Sequence, residues 1–179
     1  MPEEATTEAT KPALAPQNFS LPIHGWIESA QTSHGVRHDD YAQYHAYCSR
    51  RLSRLRHHPD VKKDLVHSSK YSSSGSKGKP RHAYCPRDDT AAMEIVPHIN
   101  YLWTVLVSAE RSWAQACELK KNQGKKQHVL RRLRKAYQFA IRLMELAKVN
   151  CDPVTQKESE AYAGWIHGNW ALEKADYEV

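Results

Sequence analysis

The chain has 179 residues, of which 40% are hydrophobic, and it carries a formal net charge of +6. This length fits one domain with tails, and the excess of positive charge favours a polyanionic partner such as nucleic acid or an anionic membrane surface. No apolar run approaches the ~18 residues that cross a bilayer, and the N-terminal sequence lacks the basic and apolar regions of a signal peptide. We therefore expect an intracellular protein without direct membrane insertion.

The N-terminal residues are rich in Ala, Thr, Pro and Glu, a composition that buries too little apolar surface to fold. We predict that residues 1–20 form a disordered tail and that the folded domain occupies residues 21–179. A short helix is predicted at residues 23–31, directly after Pro22.

The next predicted helix has the most informative pattern in the chain. Asp39 or Asp40 can cap its start, and Pro59 ends it after His57 or His58. Its apolar residues recur three and four positions apart and form one stripe: Tyr41, Tyr44, Cys48, Leu52 and Leu55. A neighbouring arc contains Tyr47, Arg50, Arg51, Arg54 and His58. One side of this helix is therefore predicted to dock on the core while another presents arginines.

Arginines gathered in this way indicate a phosphate-binding surface. A guanidinium is a planar fork of donors that binds phosphate oxygens in pairs and stacks on bases. Acidic partners on the same helix are nearly absent, because Asp60 and Asp64 lie beyond Pro59. Since duplex RNA has a deep, narrow major groove, proteins usually recognise its shape, its junctions or its unstacked bases. The helix therefore predicts RNA binding, and a solvated basic face is the plainer alternative.

A long loop is predicted at residues 68–90, where Ser, Gly, Lys and Pro dominate. Such a composition rarely forms regular structure, and loops of this length are usually functional or disordered. The loop and the residues before it are basic through Lys62, Lys63, Lys77, Lys79 and Arg81. We expect this basic flexible loop to contact a phosphate backbone.

Three long helices are predicted after the loop. The first runs from Ala92 or Pro97 to Lys121, where Gly124 interrupts the pattern, and the second runs from about 125 to 149. The inward residues predicted for the first helix are Ile99, Leu102, Leu106, Ala109, Trp113 and Cys117. Those predicted for the second are Leu130, Leu133, Tyr137, Ile141 and Met144. No strand pattern is present, so we predict an all-α fold of antiparallel helices joined by short loops.

The last predicted helix begins at Pro153, after the capping residue Asp152, and runs to about 173. It contains Trp165-Ile166-His167-Gly168-Asn169-Trp170, which is followed by Tyr177. This spacing resembles the first half of a tetratricopeptide repeat, in which a glycine permits close helix approach and aromatic residues fill the seam. We therefore predict a tetratricopeptide-like antiparallel helical bundle that is truncated within a helical repeat.

The sequence gives little support for a metal site, for disulfide bonds or for catalysis. His57, His58, His82 and Cys85 match no zinc-ligand spacing, so we expect no metal site. The four cysteines form no C-x-x-C pair and predict free, mostly buried thiols. A nucleophile elbow and a P-loop are absent. We expect no enzymatic activity, no cofactor and no small-molecule substrate.

A second basic cluster falls on the predicted helices that follow the loop. Its members are Lys120, Lys121, Lys125, Lys126, Arg131, Arg132, Arg134, Lys135 and Arg142. Phosphate contact and a solvated repeat surface are equally compatible with this pattern.

The segment from His34 to Tyr41, continued by the segment from Tyr47 to Arg56, resembles one family of proteins. It is similar to the RNA-binding domains of the 68-kilodalton subunit of the eukaryotic signal recognition particle. Shorter matches are Ala109-Glu110-Arg111-Ser112-Trp113, Arg132-Leu133-Arg134-Lys135-Ala136 and Glu160-Ala161-Tyr162. The likeness extends from about Ile23 to the C-terminus. The sequence departs from the family at His45, where an arginine-like residue is expected, and in the 68–90 loop, which is richer in Ser and Gly.

The resemblance implies a tetratricopeptide-like, non-catalytic RNA-binding scaffold. It implies that an arginine-rich helix enters a groove of the particle's RNA near a junction and bends the RNA. It also implies that a C-terminal region outside this chain binds the 72-kilodalton subunit. The particle supports co-translational targeting to the endoplasmic reticulum, in the cytoplasm, with assembly in the nucleus and nucleolus.

The RNA contacts that the resemblance implies are Arg37, Tyr47, Arg50, Arg51, Arg54 and Arg56. The basic pattern adds His58, Lys62, Lys63, Lys77, Lys79 and Arg81. The alternative function is a helical-repeat protein-interaction module whose basic face binds an acidic peptide or a membrane surface.

Overall fold

The computed structural model describes residues 18–59, 61 and 94–175. In these residues the chain forms five α-helices and a 3₁₀ turn at Val36–His38. The helices are α1 (Ile23–Ser33), α2 (Tyr41–His57), α3 (Ile99–Lys121), α4 (Lys126–Asn150) and α5 (Pro153–Ala175). The predicted all-α fold is confirmed, and the helices end close to their predicted boundaries. None of the helices described is both long and apolar enough to cross a bilayer.

A short turn makes α3 and α4 antiparallel neighbours. Gln123 takes a left-handed backbone conformation there, with a φ of 52°. The amide of Gly124 donates to the carbonyl oxygen of Leu119 at 2.8 Å. A Cβ at position 124 would lie 2.9 Å from that same oxygen, so glycine is needed for the close approach.

A second turn connects α4 to α5, and the segment before α1 packs across this turn. Asp152 caps α5 by accepting a hydrogen bond from the amide of Thr155 at 3.1 Å, as the sequence predicted. The amide of Phe19 donates to the carbonyl of Asn150 at 2.8 Å, and the amide of Asp152 donates to the carbonyl of Phe19 at 2.9 Å. Phe19, which falls within the predicted tail, therefore lies across this turn, while residues 1–17 are outside the described part of the chain.

Helix α3 is the central helix and packs against both α2 and α4. The buried surface of α3 is wider than the single inward face that was predicted, since Tyr101, Val105 and Val107 are buried as well. A helix that is covered on more than one side is apolar around most of its circumference. The additional burial therefore reflects the position of α3 between two neighbours.

The buried face of α4 differs from the predicted one. Of the five predicted inward residues, Leu133 is buried, whereas the other four are half-buried: Leu130, Tyr137, Ile141 and Met144. Besides Leu133, the buried face contains larger apolar residues and three alanines: Val129, Leu143, Leu146, Ala136, Ala140 and Ala147. Small side chains allow α4 to approach α3 and α5 at the same time, because the distance between helix axes depends on the side chains at the contact.

A buried carboxylate connects four helices. Glu110 on α3 accepts hydrogen bonds from Tyr44 Oη on α2 at 2.7 Å, from Tyr162 Oη on α5 at 2.7 Å and from Gln31 Nε2 on α1 at 3.0 Å. Burial raises the pKa of Glu110 above its ordinary value, while the three donors act in the opposite direction. Because an unpaired buried polar group costs free energy, this network favours one relative arrangement of the helices.

The repeat-like stretch of the sequence lies within α5. Ile166 is fully buried and Trp165 is 44% exposed. A Cβ placed on Gly168 would meet no atom within 4 Å, so the close helix approach predicted at this glycine is not found in the described residues. Tyr177 and the predicted loop at 68–90 lie outside them.

The cysteines in the described residues are free thiols. Cys48 and Cys151 are buried and Cys117 is half-buried. Burial raises the pKa of Cys48 and of Cys117 to about 12, and that of Cys151 to about 11. The prediction of free, mostly buried thiols is therefore confirmed for these three, and Cys85 lies outside the described residues.

Candidate nucleic-acid interface

The predicted docking side of α2 is confirmed. Tyr44, Cys48 and Leu52 are buried, and Tyr41 and Leu55 are half-buried against the core. Full burial of a large apolar side chain contributes about 1.5–3 kcal/mol. This packing against α3 holds α2 in one rotational setting, so the direction in which its other residues point is determined.

A tight turn sets the start of α2. Gly35 has a φ of 103°, and a Cβ there would lie 2.8 Å from the carbonyl oxygen of Asp40. Glycine is therefore required at this position. Asp40 Oδ1 accepts a hydrogen bond from the amide of Gln43 at 2.9 Å, which identifies Asp40 as the N-cap. Arg37 lies exposed within this turn, directly before α2.

The central arginines of α2 have two different environments. Arg50 and Arg54 are exposed one turn apart, and neither pairs with a carboxylate of the described residues. Arg51 is half-buried, with its Cζ atom 5.0 Å from the ring centroid of Trp26 and 5.1 Å from that of Trp103. Arg50 and Arg54 are thus accessible to a partner, while Arg51 packs against two tryptophans of the protein.

Tyr47 already stacks on a neighbouring side chain. The His34 ring covers one of its faces, with centroids 3.6 Å apart and planes 21° apart. The ring of Tyr44 lies nearly parallel to Tyr47 with a centroid distance of 6.2 Å. Because a ring at 3.6 Å leaves no space for a base, Tyr47 can offer RNA at most its second face. His34, at the end of α1, thereby becomes part of the candidate interface.

The remaining predicted contacts surround the C-terminal end of α2. Arg56 is half-buried on the side of the helix away from the exposed arginines. The Nδ1 atom of His57 lies 2.7 Å from the carbonyl oxygen of Ser53, and His58 stacks on His98 with centroids 5.6 Å apart. Five predicted contacts lie outside the described residues: Lys62, Lys63, Lys77, Lys79 and Arg81.

No group of three histidine, cysteine or acidic side chains in the described part of the chain is arranged to hold a metal ion. His82 and Cys85, whose spacing matches no zinc-ligand pattern, lie outside the described residues.

His45 faces positive charge from two other helices. Its imidazole is half-buried, and burial is the main cause that lowers its pKa. The guanidinium groups of Arg111 on α3 and Arg132 on α4 lower the pKa further, while Glu118 acts in the opposite direction. The neutral form of His45 is therefore favoured, so this position adds little positive charge to the side of α2 that faces α4.

The second basic cluster is partly occupied by contacts within the protein. Lys120 Nζ lies 2.6 Å from Glu173 Oε2, and Arg142 Nη1 lies 3.2 Å from Glu145 Oε2. Lys121 Nζ donates to a backbone carbonyl before α2 at 2.8 Å. The exposed members on and next to α4 are Lys125, Lys126, Arg131 and Arg134.

Several residues contribute to this surface although the sequence did not predict a role for them there. Trp26 and Trp103 have the spacing of ordinary core aromatics, and no local pattern connects them to Arg51. Glu110 did carry a signal, because a carboxylate within the apolar stretch of α3 requires hydrogen-bond donors. His34 belongs to the segment that carries the family resemblance, but nothing in its spacing predicts that it stacks on Tyr47.

Comparisons with known proteins place the chain in a family. A family model described as SRP68, RNA-binding signal recognition particle 68, matches residues 36–179. The signal recognition particle subunit SRP68 of Drosophila melanogaster is 34% identical over 172 residues, which cover 92% of this chain and 26% of that protein. The subunit of Dictyostelium discoideum is 29% identical over 182 residues, which cover 97% of this chain and 28% of that protein. The chain thus spans about a quarter of the length of these relatives.

A solved structure, that of the SRP68-RBD from Chaetomium thermophilum, has a similar fold. It matches with a TM-score of 0.62 and 18% sequence identity, over 88% of this chain and 74% of that one. The family description names an RNA-binding particle subunit and not an enzyme, in agreement with the expectation from the sequence. Because the family model matches most of its length, the chain belongs to the SRP68 family of signal recognition particle subunits, in the region that the family model describes as RNA-binding.

Proposed function

We propose that this chain is an RNA-binding scaffold domain of the signal recognition particle and that it binds the particle's RNA through the arginine-rich side of α2. The observation that carries the proposal is the pair Arg50 and Arg54. These side chains are exposed one turn apart and pair with no carboxylate of the described residues. Burial of Tyr44 and Leu52 keeps them in register, unlike the cations of a flexible basic tail.

The groove geometry of RNA favours a target site near a junction for a helix such as α2. The helix has 17 residues and is therefore about 25 Å long. The major groove of regular duplex RNA is too narrow for side chains to read, whereas junctions and bulges are recognised more readily. We propose that α2 enters a groove opened at such a junction and that the RNA bends around it.

The proposed contacts extend to both ends of α2. Arg37 precedes the helix, and Arg51, Arg56, Tyr47 and His58 complete the set that surrounds the exposed pair. In this proposal the contacts continue beyond the described residues through Lys62, Lys63, Lys77, Lys79 and Arg81. The basic loop at 68–90 would then become ordered on the phosphate backbone.

The place of this chain in a larger assembly is also a proposal. We propose that α5 opens a tetratricopeptide-like repeat, and that the 72-kilodalton subunit binds a region C-terminal to this chain. We propose that the protein acts in the cytoplasm, where it supports co-translational targeting to the endoplasmic reticulum. We further propose a nucleolar stage during assembly of the particle.

A fluorescence anisotropy titration tests RNA binding. The probes are a signal recognition particle RNA fragment with its junction, a plain RNA duplex of equal length and an acidic peptide. We expect the junction RNA to bind most tightly, with an affinity that falls steeply as salt rises, because each neutralised phosphate releases counterions. Equal affinity for the junction and the plain duplex would disprove junction recognition. Tighter binding of the acidic peptide would favour the protein-interaction module instead.

Bending is tested separately by energy transfer between dyes at the ends of two RNA arms. Addition of the protein should change the distance between the arms at concentrations that saturate binding. Saturated binding without a change in transfer would remove bending from the proposal and leave RNA binding intact.

A further inference from the structure

Arg51 packs against two tryptophans from other helices. Its Cζ atom lies 5.0 Å from the ring centroid of Trp26 on α1 and 5.1 Å from that of Trp103 on α3. The two indole centroids are 5.3 Å apart, with the planes at 72° to each other. Since these three distances are nearly equal, both rings lie on the same side of the guanidinium. We call the pair Trp26 and Trp103 the aromatic corner.

The guanidinium turns its inner nitrogen towards the protein. The Nε atom of Arg51 is buried and has no hydrogen-bond partner in the described part of the chain. Its two Nη groups are not among the buried side-chain atoms that lack a hydrogen-bond partner, and Arg51 as a whole is only half-buried. The outer edge of the guanidinium is therefore accessible, while its inner side is covered.

This arrangement orients a cation without neutralising it. The face of an indole ring attracts a guanidinium through its quadrupole, and attraction by two rings restricts the rotation of the side chain. The outer edge carries paired N–H donors in a fork that matches two phosphate oxygens. Arg50 and Arg54 are exposed on the same helix but have no aromatic contact of this kind among the described residues.

We propose that Arg51 is a pre-oriented fork for an RNA backbone phosphate and that Trp26 and Trp103 are the positioning residues that set its geometry. This inference rests on the proposed RNA-binding function and extends the interface from α2 to α1 and α3. The edge of a guanine base also presents two neighbouring acceptors, so the guanidinium could bind either group. The experiment is therefore designed to distinguish a guanine from a phosphate.

A double-mutant cycle measured with the junction RNA tests the role of the corner. The variants are Arg51→Ala, Trp26→Leu and the protein with both changes, each titrated at several salt concentrations. We expect Arg51→Ala to weaken binding about tenfold and to reduce the salt slope by about one. Trp26→Leu should weaken binding about threefold in the wild-type background and have no further effect in the Arg51→Ala background, because residues that act through one contact are coupled.

Two further variants serve as controls. Trp26→Phe keeps a ring face next to Arg51 and should retain most of the affinity. If Trp26→Leu does not fold, Trp103→Leu replaces it in the cycle, because Trp103 lies at a similar distance from Arg51. Trp165→Leu removes a 44% exposed tryptophan that contacts Trp113 and Tyr162 instead of Arg51, and it should leave the affinity unchanged.

Other results of these titrations would contradict different parts of the proposal. Positioning by the corner is overturned if folded Trp26→Leu binds as the wild type does, or if it loses the same factor in both backgrounds. Weaker binding of Arg51→Ala with an unchanged salt slope overturns the phosphate assignment in favour of a guanine edge. Failure of the wild-type protein to bind RNA would reject the proposed function itself, so the two failures are distinguishable.

Discussion

Helices α2 and α4 are both amphipathic and both carry several arginines, yet they present their charges differently. In α2, Arg50 and Arg54 are exposed and pair with no carboxylate of the described residues. In α4, Arg142 pairs with Glu145 at 3.2 Å, and Lys135 Nζ lies 5.8 Å from the ring centroid of Phe139. The cations of α2 are thus more available to a partner than several of those on α4.

The two helices also differ in how they are held. Helix α2 packs mainly on α3, and Tyr44 anchors it to Glu110 with a hydrogen bond of 2.7 Å. Helix α4 is embedded between α3 and α5 through a face that contains three alanines. A larger part of the α2 circumference is therefore left for a partner. The number of arginines does not distinguish the two helices, and exposure alone does not either, since Arg131 and Arg134 on α4 are exposed too. The difference lies in how much of each helix its neighbours cover.

The largest expected effect tests this contrast directly. Replacing Arg50 and Arg54 together by alanine should cost about 2–6 kcal/mol in binding of the junction RNA, since each contact contributes about 1–3 kcal/mol if it reads a base edge. If both contact phosphates instead, the salt slope should fall by about two. Arg131 and Arg134 on α4 are exposed as well. Their replacement by alanine should have a much smaller effect, because α4 is covered by two neighbouring helices and leaves less surface for RNA. Fluorescence anisotropy at several salt concentrations measures both quantities.

Circular dichroism of both double variants should match that of the wild type, because all four side chains are exposed. An equal loss of affinity in the α4 variant would mean that the RNA interface covers both helices. The contrast between the two helices would then be wrong.

The next effect concerns how α2 is held. Tyr44→Phe removes the hydroxyl that donates to Glu110 Oε2 at 2.7 Å. Gln31 still donates to this oxygen in the variant, so one hydrogen bond is lost without leaving the acceptor unpaired. The free energy of unfolding in urea should therefore fall by about 0.5–1.5 kcal/mol. The control is Tyr137→Phe on α4, where the half-buried hydroxyl donates to no described residue, and its effect should stay within about 0.5 kcal/mol. Equal losses in the two variants would contradict the anchoring role of the Glu110 network.

The same network predicts a dependence of stability on pH. Burial raises the pKa of Glu110 in the folded protein above its ordinary value of 4.5, so the folded state binds this proton more tightly than the unfolded state. The contribution of Glu110 to the free energy of unfolding is therefore fully present below pH 4.5 and is lost as the pH rises through the folded-state pKa. Its slope is at most about 1.4 kcal/mol per pH unit.

Urea unfolding of the wild type and of Glu110→Gln, at pH values on both sides of 4.5, measures this contribution. The wild type should lose stability relative to the variant as the pH rises, because glutamine does not titrate. A constant difference between the two proteins, or a change of the opposite sign, would show that the raised pKa of Glu110 is not linked to folding.

Much of the fold was predictable because helix boundaries depend on local signals. Asp40 and Asp152 cap α2 and α5 as expected, and α2 ends close to Pro59. The inward side of α4 was not predictable in the same way, because its burial depends on having neighbours on two sides. Ala136 and Ala140 are buried there, although hydrophobicity alone favoured larger residues such as Tyr137 and Ile141.

The candidate site was predictable only in part, for a related reason. The spacing along α2 correctly placed Arg50 and Arg54 on an exposed side. It contained no information about Trp26 and Trp103, which are distant from Arg51 in the sequence and meet it only through packing. Periodicity therefore indicates the side on which a residue lies, whereas its orientation depends on contacts between elements.

The smallest expected effect compares the starts of the two helices. Asp40 accepts a hydrogen bond from the amide of Gln43 at 2.9 Å, whereas Lys125, at the start of α4, makes no side-chain cap. Asp40→Ala should therefore lower the free energy of unfolding by about 1 kcal/mol, and Lys125→Ala should leave it nearly unchanged. RNA titration of the same variants adds a second result. A loss of affinity in folded Asp40→Ala would indicate that the capped turn also positions Arg37, while unchanged affinity would restrict the cap to the stability of α2.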